Sequence, residues 1–189
     1  MDTLNLGYIG KRDSNSWYTP EKYILKVKEV LGVIDLDPFS SELANKVVRA
    51  ERIYTEENSA LSPENSFRSR TLFMNPPYSN GLMPKSVEKF VEEYASGLII
   101  EAIVLTNNAT ETKWFHELLS LHPSVCLVKN RISFVSPDGK AVSGNTRGQV
   151  FFYFGYNKAK FMEVFSSIGY IVNIGDCHVL PLRTVQIQT

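Results

Sequence analysis

The chain has 189 residues, of which 43% are apolar and 21% are charged, and its twenty basic side chains cancel its twenty acidic ones. This length suits one domain with an ample core, and the composition is that of a soluble globular protein rather than a disordered one. The zero net charge argues against a protein that coats nucleic acid through bulk charge, but does not exclude a local basic face.

An N-terminal arm and a helix open the chain. Residues 1–16 hold scattered glycines and serines without a periodic apolar pattern, so we expect an arm there. In the segment that follows, Thr19 can cap a helix and Pro20 can occupy its first position. The helix itself is predicted by an apolar stripe at helical spacing, closed by Gly32: Tyr23, Ile24, Val27, Val30 and Leu31.

A short strand that ends in acidic residues follows this helix. Val33-Ile34-Asp35-Leu36-Asp37-Pro38 is apolar apart from two carboxylates, and Pro38 stops it, so it predicts a central strand. Asp35 and Asp37 lie on the same side of an extended chain. A carboxylate at the carboxyl edge of a strand commonly meets a ribose hydroxyl or an ammonium group, and capping the next helix is the alternative. We favour the ligand role for Asp37.

A second acidic strand end comes next. Residues 41–50 carry apolar side chains at helical spacing, and Arg52-Ile53-Tyr54-Thr55 predicts a short strand with Glu56 at its end. Residues 58–70 are polar and contain a proline, so they are expected to form a loop that leads into a third strand.

The stretch with the most chemical content follows that third strand. Thr71-Leu72-Phe73-Met74 is a buried-strand pattern, and Asn75-Pro76-Pro77-Tyr78 stands at its carboxyl end, where open α/β sheets bind ligands. Two successive prolines remove two N–H donors, which leaves the carbonyls of Asn75 and Pro76 as acceptors. Acceptors beside an aromatic Tyr78 suit a planar substrate with an amino group, such as a flipped nucleobase. The alternative is a turn in which the tyrosine covers a core edge.

The remaining elements continue to alternate. They are predicted as a helix from Pro84 to Gly97, a strand at 98–106, a helix capped by Thr110, strands at 125–128 and 149–154, a helix at 160–169, and an edge strand or packed tail at 170–174. This order predicts an α/β fold with a mostly parallel sheet and helices on both faces. We expect one domain over residues 17–175 and a C-terminal tail over residues 176–189.

One local excess of positive charge stands out between the predicted strands at 125–128 and 149–154. The segment from Lys129 to Gly148 contains a single acidic residue, Asp138, against four basic ones: Lys129, Arg131, Lys140 and Arg147. Contact with phosphates and a solvated hairpin loop are equally good interpretations of this pattern.

Membrane and metal sites are not predicted. No apolar run approaches the ~18 residues of a membrane span, and the N-terminus lacks a secretion signal, so we expect a cytoplasmic protein. The two cysteines form no C-x-x-C, and the three histidines share no metal-ligand spacing, so the sequence indicates neither a metal site nor a redox pair.

Four motifs in one order carry a family resemblance. They are Trp17-x-Thr19-Pro20, Ile34-Asp35-Leu36-Asp37-Pro38, Asn75-Pro76-Pro77-Tyr78 and Thr112-Lys113-Trp114-Phe115. With them, roughly residues 17–155 resemble the phage-type DNA N6-adenine methyltransferase family, the small Dam-like enzymes of phages and prophages. The resemblance implies a single-domain, Rossmann-like methyltransferase fold with S-adenosylmethionine as cofactor and DNA as partner.

The resemblance also implies which residues form the site. Asn75 and the Pro76 carbonyl would hold the adenine amine within the loop that Pro77 completes, and Tyr78 would stack on the flipped ring. Acceptors that pull on the amine hydrogens favour its pyramidal, nucleophilic form, and no general base or metal is required. A second set of residues is expected to face the cofactor, with Glu56 assigned from its position alone: Trp17, Thr19, Pro20, Asp35, Asp37, Pro38 and Glu56.

Two departures from the wider methyltransferase pattern bear on this expectation. A glycine-rich F-x-G-x-G is absent after the first strand, where Asp37-Pro38-Phe39-Ser40-Ser41 stands instead. A large target-recognition insertion is also absent, so DNA contact is expected from the segment Lys129 to Gly148. The same tetrapeptide could serve transfer to RNA or to a protein side-chain amide, and a non-catalytic nucleic-acid-binding relative is the other alternative.

Overall fold

A computed structural model describes residues 18–78, 81–136 and 146–175 of the chain. The predicted arm, Trp17, Lys140 and the predicted tail therefore lie outside the described residues. The described parts form one seven-stranded sheet with five helices, and none of these helices is long and apolar enough to cross a membrane.

Helices and strands follow one another largely in the predicted order. Their bounds are α1 Glu21–Leu31, β1 Leu36–Asp37, α2 Glu42–Val48, β2 Arg52–Ile53, β3 Ser69–Met74, α3 Leu82–Ala95, β4 Ile99–Asn107, α4 Lys113–Leu119, β5 Ser124–Val128, β6 Gln149–Phe154, α5 Lys158–Phe165 and β7 Gly169–Asn173. The predicted edge strand at the end of the domain is thus confirmed as β7.

The sheet has the strand order β2-β1-β3-β4-β6-β5-β7 and is only partly parallel. The pairs β1/β2, β1/β3 and β3/β4 are parallel, whereas β4/β6, β5/β6 and β5/β7 are antiparallel. The prediction of a mostly parallel sheet is therefore not confirmed. The reason is that β6 pairs antiparallel with β5, the strand before it in the chain, and inserts between β5 and β4.

Helices cover both faces of the sheet, as predicted. Successive side chains of β3 point to opposite faces, so that Leu72 and Met74 belong to one apolar cluster and Phe73 to the other. The first cluster includes residues of α3 and α4, and the second includes residues of α1, α2 and α5. Both clusters are buried, which fixes the sheet as the middle of three layers.

The start of α1 differs from the prediction. The helix begins at Glu21, Pro20 occupies the N-cap position, and no side chain caps it. Thr19 is therefore not a cap, and its buried hydroxyl instead accepts a hydrogen bond from Asn75 Nδ2 at 3.4 Å. The predicted cap at Thr110 is also wrong, because α4 begins only at Lys113.

Candidate active site

Polar residues gather at one edge of the sheet, where its parallel strands end. Asp37 is the last residue of β1, Asn75 directly follows β3, and Asn107 is the last residue of β4. These three strands are neighbours and run in the same direction, so their carboxyl ends share one edge. Asp37 and Asn75, each predicted to stand at the carboxyl end of a strand, therefore lie at one common edge of the sheet.

The loop after β3 presents hydrogen-bond acceptors. Asn75 uses its Nδ2 group to donate to Thr19 Oγ1, which leaves its Oδ1 atom as an acceptor. Pro76 and Pro77 have no backbone N–H, and the Pro76 carbonyl accepts no hydrogen bond from the described residues. Two acceptors, a side-chain amide oxygen and a backbone carbonyl, thus stand together at the end of β3.

Tyr78 is anchored at its tip while much of its ring stays open. Its hydroxyl accepts a hydrogen bond from the backbone N–H of Asn107, and its ring meets Trp114 edge to face at 6.3 Å. The residue remains 41% exposed. Burial around the hydroxyl raises the pKa of Tyr78, so the side chain stays a neutral phenol. A ring held at its tip and edge but open to solvent is suited to stacking on a planar ligand.

Tyr78→Phe and Tyr78→Ala are expected to separate these two features. For the methyl transfer that the family resemblance implies, removing the ring should lower kcat/KM by about tenfold to hundredfold, because base–aromatic stacking is worth ~1–3 kcal/mol. Removing only the hydroxyl should cost less than about tenfold, since the stacking surface remains. Steady-state kinetics with saturating cofactor measures both, and equal losses in the two variants would assign the role to the hydroxyl instead.

Asp37 is a buried carboxylate. It is 3% exposed, and its Oδ1 accepts a hydrogen bond from the Phe39 backbone N–H at 3.3 Å. Burial raises the pKa of Asp37 to about 6, although Ser40 and the Phe39 N–H favour its charged form. No described basic side chain pairs with it. A buried carboxylate without a cationic partner fits a positively charged ligand.

Asp35 has a different environment from Asp37. Its Oδ2 accepts hydrogen bonds from the backbone N–H groups of Arg70 and Thr71, at 2.9 and 3.2 Å. These groups belong to the first half of β3, away from the edge at which Asn75 lies. The structure therefore uses the Asp35 carboxylate to hold β1 against β3, and does not bring it to the candidate site.

Two further predicted cofactor residues, Pro38 and Glu56, follow the ends of the neighbouring strands β1 and β2. Pro38 is buried directly after β1, and Glu56 is exposed in the turn after β2, the outer neighbour of β1. No described residue bonds to the Glu56 carboxylate. Glu56 thus remains a predicted ribose contact.

Residues 18–20, which we call the strap, cross the same edge. Tyr18 pairs with Val135 through two backbone hydrogen bonds of 2.8 and 2.9 Å, and its hydroxyl accepts one from Ser41 Oγ at 3.2 Å. Thr19 binds Asn75, and Pro20 leads into α1. The strap therefore connects the loop after β3 both to the start of α2 and to the segment that follows β5.

An open groove of about 650 Å³ is lined at one point by Asn107, whose backbone N–H bonds to the hydroxyl of Tyr78. Three of the four predicted DNA-binding cations, Lys129, Arg131 and Arg147, line it, and all three are exposed. Its other lining residues are Asn107, Asn108, Ala109, Glu111, Val128, Asn130, Thr146 and Gly148. Within the described ranges, no group of three or more histidine, cysteine or acidic side chains is arranged to hold a metal ion.

Sequence reasoning missed Gln149, which joins the groove to the end of β4. Gln149 is 2% exposed, and its side chain bonds to Asn107, Ile132 and Arg147. A glutamine at the start of an otherwise aromatic strand was the available signal, since a buried amide needs partners. Those partners depend on the insertion of β6 beside β4, which the sequence pattern does not predict.

Two comparisons with known proteins find similar sequences. A family model described as DNA N-6-adenine-methyltransferase (Dam) matches residues 8–174 of the chain. A protein of Escherichia phage T1 named DNA N-6-adenine-methyltransferase is 28% identical in an alignment of 152 residues that covers 72% of this chain. The matched region spans 60% of that relative's length.

Proposed function

The chain belongs to the DNA N-6-adenine-methyltransferase (Dam) family, and on that premise we propose that it transfers a methyl group from S-adenosylmethionine to the N6 amine of a flipped adenine in DNA. The observation that carries this proposal is the pair of acceptors, Asn75 Oδ1 and the Pro76 carbonyl, in the loop beside the partly exposed ring of Tyr78. The buried Asp37 at the same edge supports a cationic cofactor. The fold we propose is accordingly the Rossmann-like fold of S-adenosylmethionine-dependent methyltransferases.

Asp37 and Pro38 are the residues proposed to hold the cofactor, together with Glu56 and the strap. S-adenosylmethionine carries a positive sulfonium and an ammonium group, and when bound it supplies an already activated methyl group. An ionised Asp37 compensates this charge in a site where burial strengthens the attraction. The exposed Glu56 is free to accept hydrogen bonds from ribose hydroxyls.

Asn75 and Pro76 act on the amine. Its lone pair is delocalised into the adenine ring, so the nitrogen is a poor nucleophile. Acceptors at Asn75 Oδ1 and the Pro76 carbonyl draw the two amine hydrogens out of the ring plane, which returns the lone pair to nitrogen. The nitrogen that gains the methyl group becomes acidic and releases one proton to water, so the residues contribute alignment and hydrogen bonding rather than a strong base.

Lys129, Arg131 and Arg147 are proposed to bind phosphates next to the flipped base. Their shared position around one groove, which starts at the end of β4, supports this interpretation over a solvated loop. A DNA substrate also suits a protein that works in the cytoplasm of a bacterial or phage-infected cell.

Charge reversal at Arg131 and Arg147 is expected to weaken DNA binding and to flatten its dependence on salt. Two lost phosphate contacts should reduce the slope of log affinity against log salt by about two. Fluorescence anisotropy over a salt series measures this slope. The matched control reverses Arg68 and Arg70, which are exposed near the opposite end of β3. An equal change in slope in both double variants would show a general effect of charge. An unchanged slope in the Arg131 and Arg147 variant would show that these residues do not contact DNA phosphates.

The proposed reaction is tested by competition between acceptors. Labelled S-adenosylmethionine is incubated with the protein and equal amounts of unmethylated DNA, RNA and protein, and each fraction is hydrolysed and its methylated products identified. We expect N6-methyladenine in the DNA fraction alone. Label in RNA or in a protein amide would show that RNA or protein is the substrate instead of DNA. DNA binding that needs no cofactor, without methyl transfer to any acceptor, would indicate a non-catalytic relative.

A further inference from the structure

The side-chain amide of Gln149 has only one possible orientation. Its Oε1 accepts a hydrogen bond from the Ile132 backbone N–H at 2.8 Å, and its Nε2 donates to the Arg147 carbonyl at 2.7 Å. A backbone N–H can only donate and a carbonyl can only accept, so a flipped amide would face each partner with the wrong group. Because Gln149 is buried, that mismatch would leave two polar groups unsatisfied.

This fixed amide orients the side chain of Asn107 in turn. The second hydrogen of Gln149 Nε2 points to Asn107 Oδ1 at 3.3 Å, so the oxygen of Asn107 must face Gln149. Its Nδ2 group then has no part in the bond to Gln149, and Asn107 lines the groove. Among the described residues nothing accepts a hydrogen bond from Asn107 Nδ2. Backbone groups thus determine, through Gln149, that Asn107 offers the groove a donor.

That donor lies next to the loop of acceptors. β3 and β4 are paired up to Met74 and Val104, so Asn75 and Asn107 extend from adjacent strand ends. The backbone N–H of Asn107 also holds the hydroxyl of Tyr78. Asn107 therefore both carries the amide donor and positions the aromatic ring of Tyr78.

Adenine needs this combination of groups. Its N6 amine donates two hydrogens, while the ring nitrogens N1 and N7, one on each side of the amine, accept. We propose that Asn107 is a specificity-determining residue whose Nδ2 donates to a ring nitrogen, N1 or N7, of the flipped adenine. This inference rests on the proposed function and adds to it the recognition of the base itself.

The test compares wild type with Asn107→Asp on three substrates. This nearly isosteric change keeps the acceptor for Gln149, replaces the free donor with an oxygen and adds one negative charge. kcat/KM is measured on oligonucleotides that carry the site methylated by the wild type, with adenine, 1-deazaadenine or 7-deazaadenine as the target base. Wild type should lose about tenfold to hundredfold on one analogue, which identifies the nitrogen, because that analogue leaves the amide donor unpaired.

Asn107→Asp should lose a similar factor on adenine, and the same analogue should cost it no further loss. Any intrinsic change in the reactivity of the analogue cancels, because it affects both proteins equally. Unaltered kinetics of Asn107→Asp on adenine, or an undiminished sensitivity of the variant to that analogue, would overturn the inference. Absence of methyl transfer by wild type would instead overturn the proposed function and, with it, this inference.

Two further variants protect the test against an effect on folding. Asn173→Asp makes the same change in β7 and keeps the acceptor for Ser124 Oγ, so its discrimination between the three bases should equal that of wild type. Gln149→Met removes the group that orients Asn107 but leaves Asn107 itself intact. Its discrimination between adenine and the analogue should fall, and a Gln149→Met protein with full discrimination would contradict the relay through Gln149.

Discussion

Replacing Asn75 with alanine is expected to lower kcat for methyl transfer by about a hundredfold to a thousandfold while it leaves cofactor affinity within about threefold. The alanine removes the Oδ1 acceptor, and preorganised hydrogen-bond groups of this kind are each worth on the order of 10²–10³ in rate. Cofactor affinity should change little, because the strap loses only the 3.4 Å bond between Asn75 and Thr19 and keeps two shorter backbone hydrogen bonds between Tyr18 and Val135. Single-turnover methylation measures the rate, and isothermal calorimetry measures cofactor binding.

Asn75→Asp is the matched control for this prediction. Its carboxylate keeps an acceptor for the amine, and the Thr19 hydroxyl can donate to it in place of accepting from it. We therefore expect this variant to transfer methyl groups faster than the alanine variant does. An equal loss of transfer and of cofactor affinity in Asn75→Ala would assign the residue to the cofactor site instead.

Replacing Asp37 with asparagine is expected to have opposite effects on cofactor affinity and on stability. Affinity should fall by about a hundredfold or more, since a buried cation would lose its counter-charge. The free energy of unfolding at neutral pH should rise, because the wild-type carboxylate is charged there although its pKa in the folded protein is about 6 against an ordinary 3.8. That difference in pKa means that the charged Asp37 lowers the free energy of unfolding by up to about 3 kcal/mol at neutral pH.

The same pKa predicts how wild type responds to pH. Between about pH 4 and 6 the folded protein binds more protons at Asp37 than the unfolded chain does, so this residue's contribution makes stability fall as pH rises through that window. Cofactor affinity should change in the opposite sense and weaken as pH falls below about 6. Urea unfolding and calorimetry over pH 4–8 measure both, and Asp37→Asn should lack both dependences. Parallel profiles for the two proteins would show that Asp37 is not the titrating group.

Strong periodic patterns predicted most elements of the fold but not the arrangement of its second half. α1, α3 and β4 are long and regular, and they lie close to the predicted ranges. The position of β6 depends on how residues 129–148 return the chain, and no local pattern states whether a strand extends the sheet or inserts into it. The sheet is therefore half antiparallel where alternation predicted parallel strands.

The candidate site was predictable where one strand end determines it, and not where several segments meet. Asn75 and Asp37 follow apolar runs and lie at the expected edge. Asp35 has the same chemistry and spacing, but the backbone of β3 takes up its carboxylate. The side chains of Asn107 and Gln149 form a hydrogen bond only because β4 and β6 are paired. The two residues are far apart in the sequence, so no local pattern predicts this contact.

The most direct test of the proposed function is the modification of genomic DNA in cells that express this chain. A host without adenine methylation of its own is transformed with wild type or with Asn75→Ala, and N6-methyladenine is mapped by single-molecule sequencing and quantified by mass spectrometry of nucleosides. We predict N6-methyladenine at one short recurring sequence with wild type and none with Asn75→Ala. Genomic DNA without N6-methyladenine in cells that hold soluble wild-type protein would contradict the assignment of this chain as a DNA adenine methyltransferase.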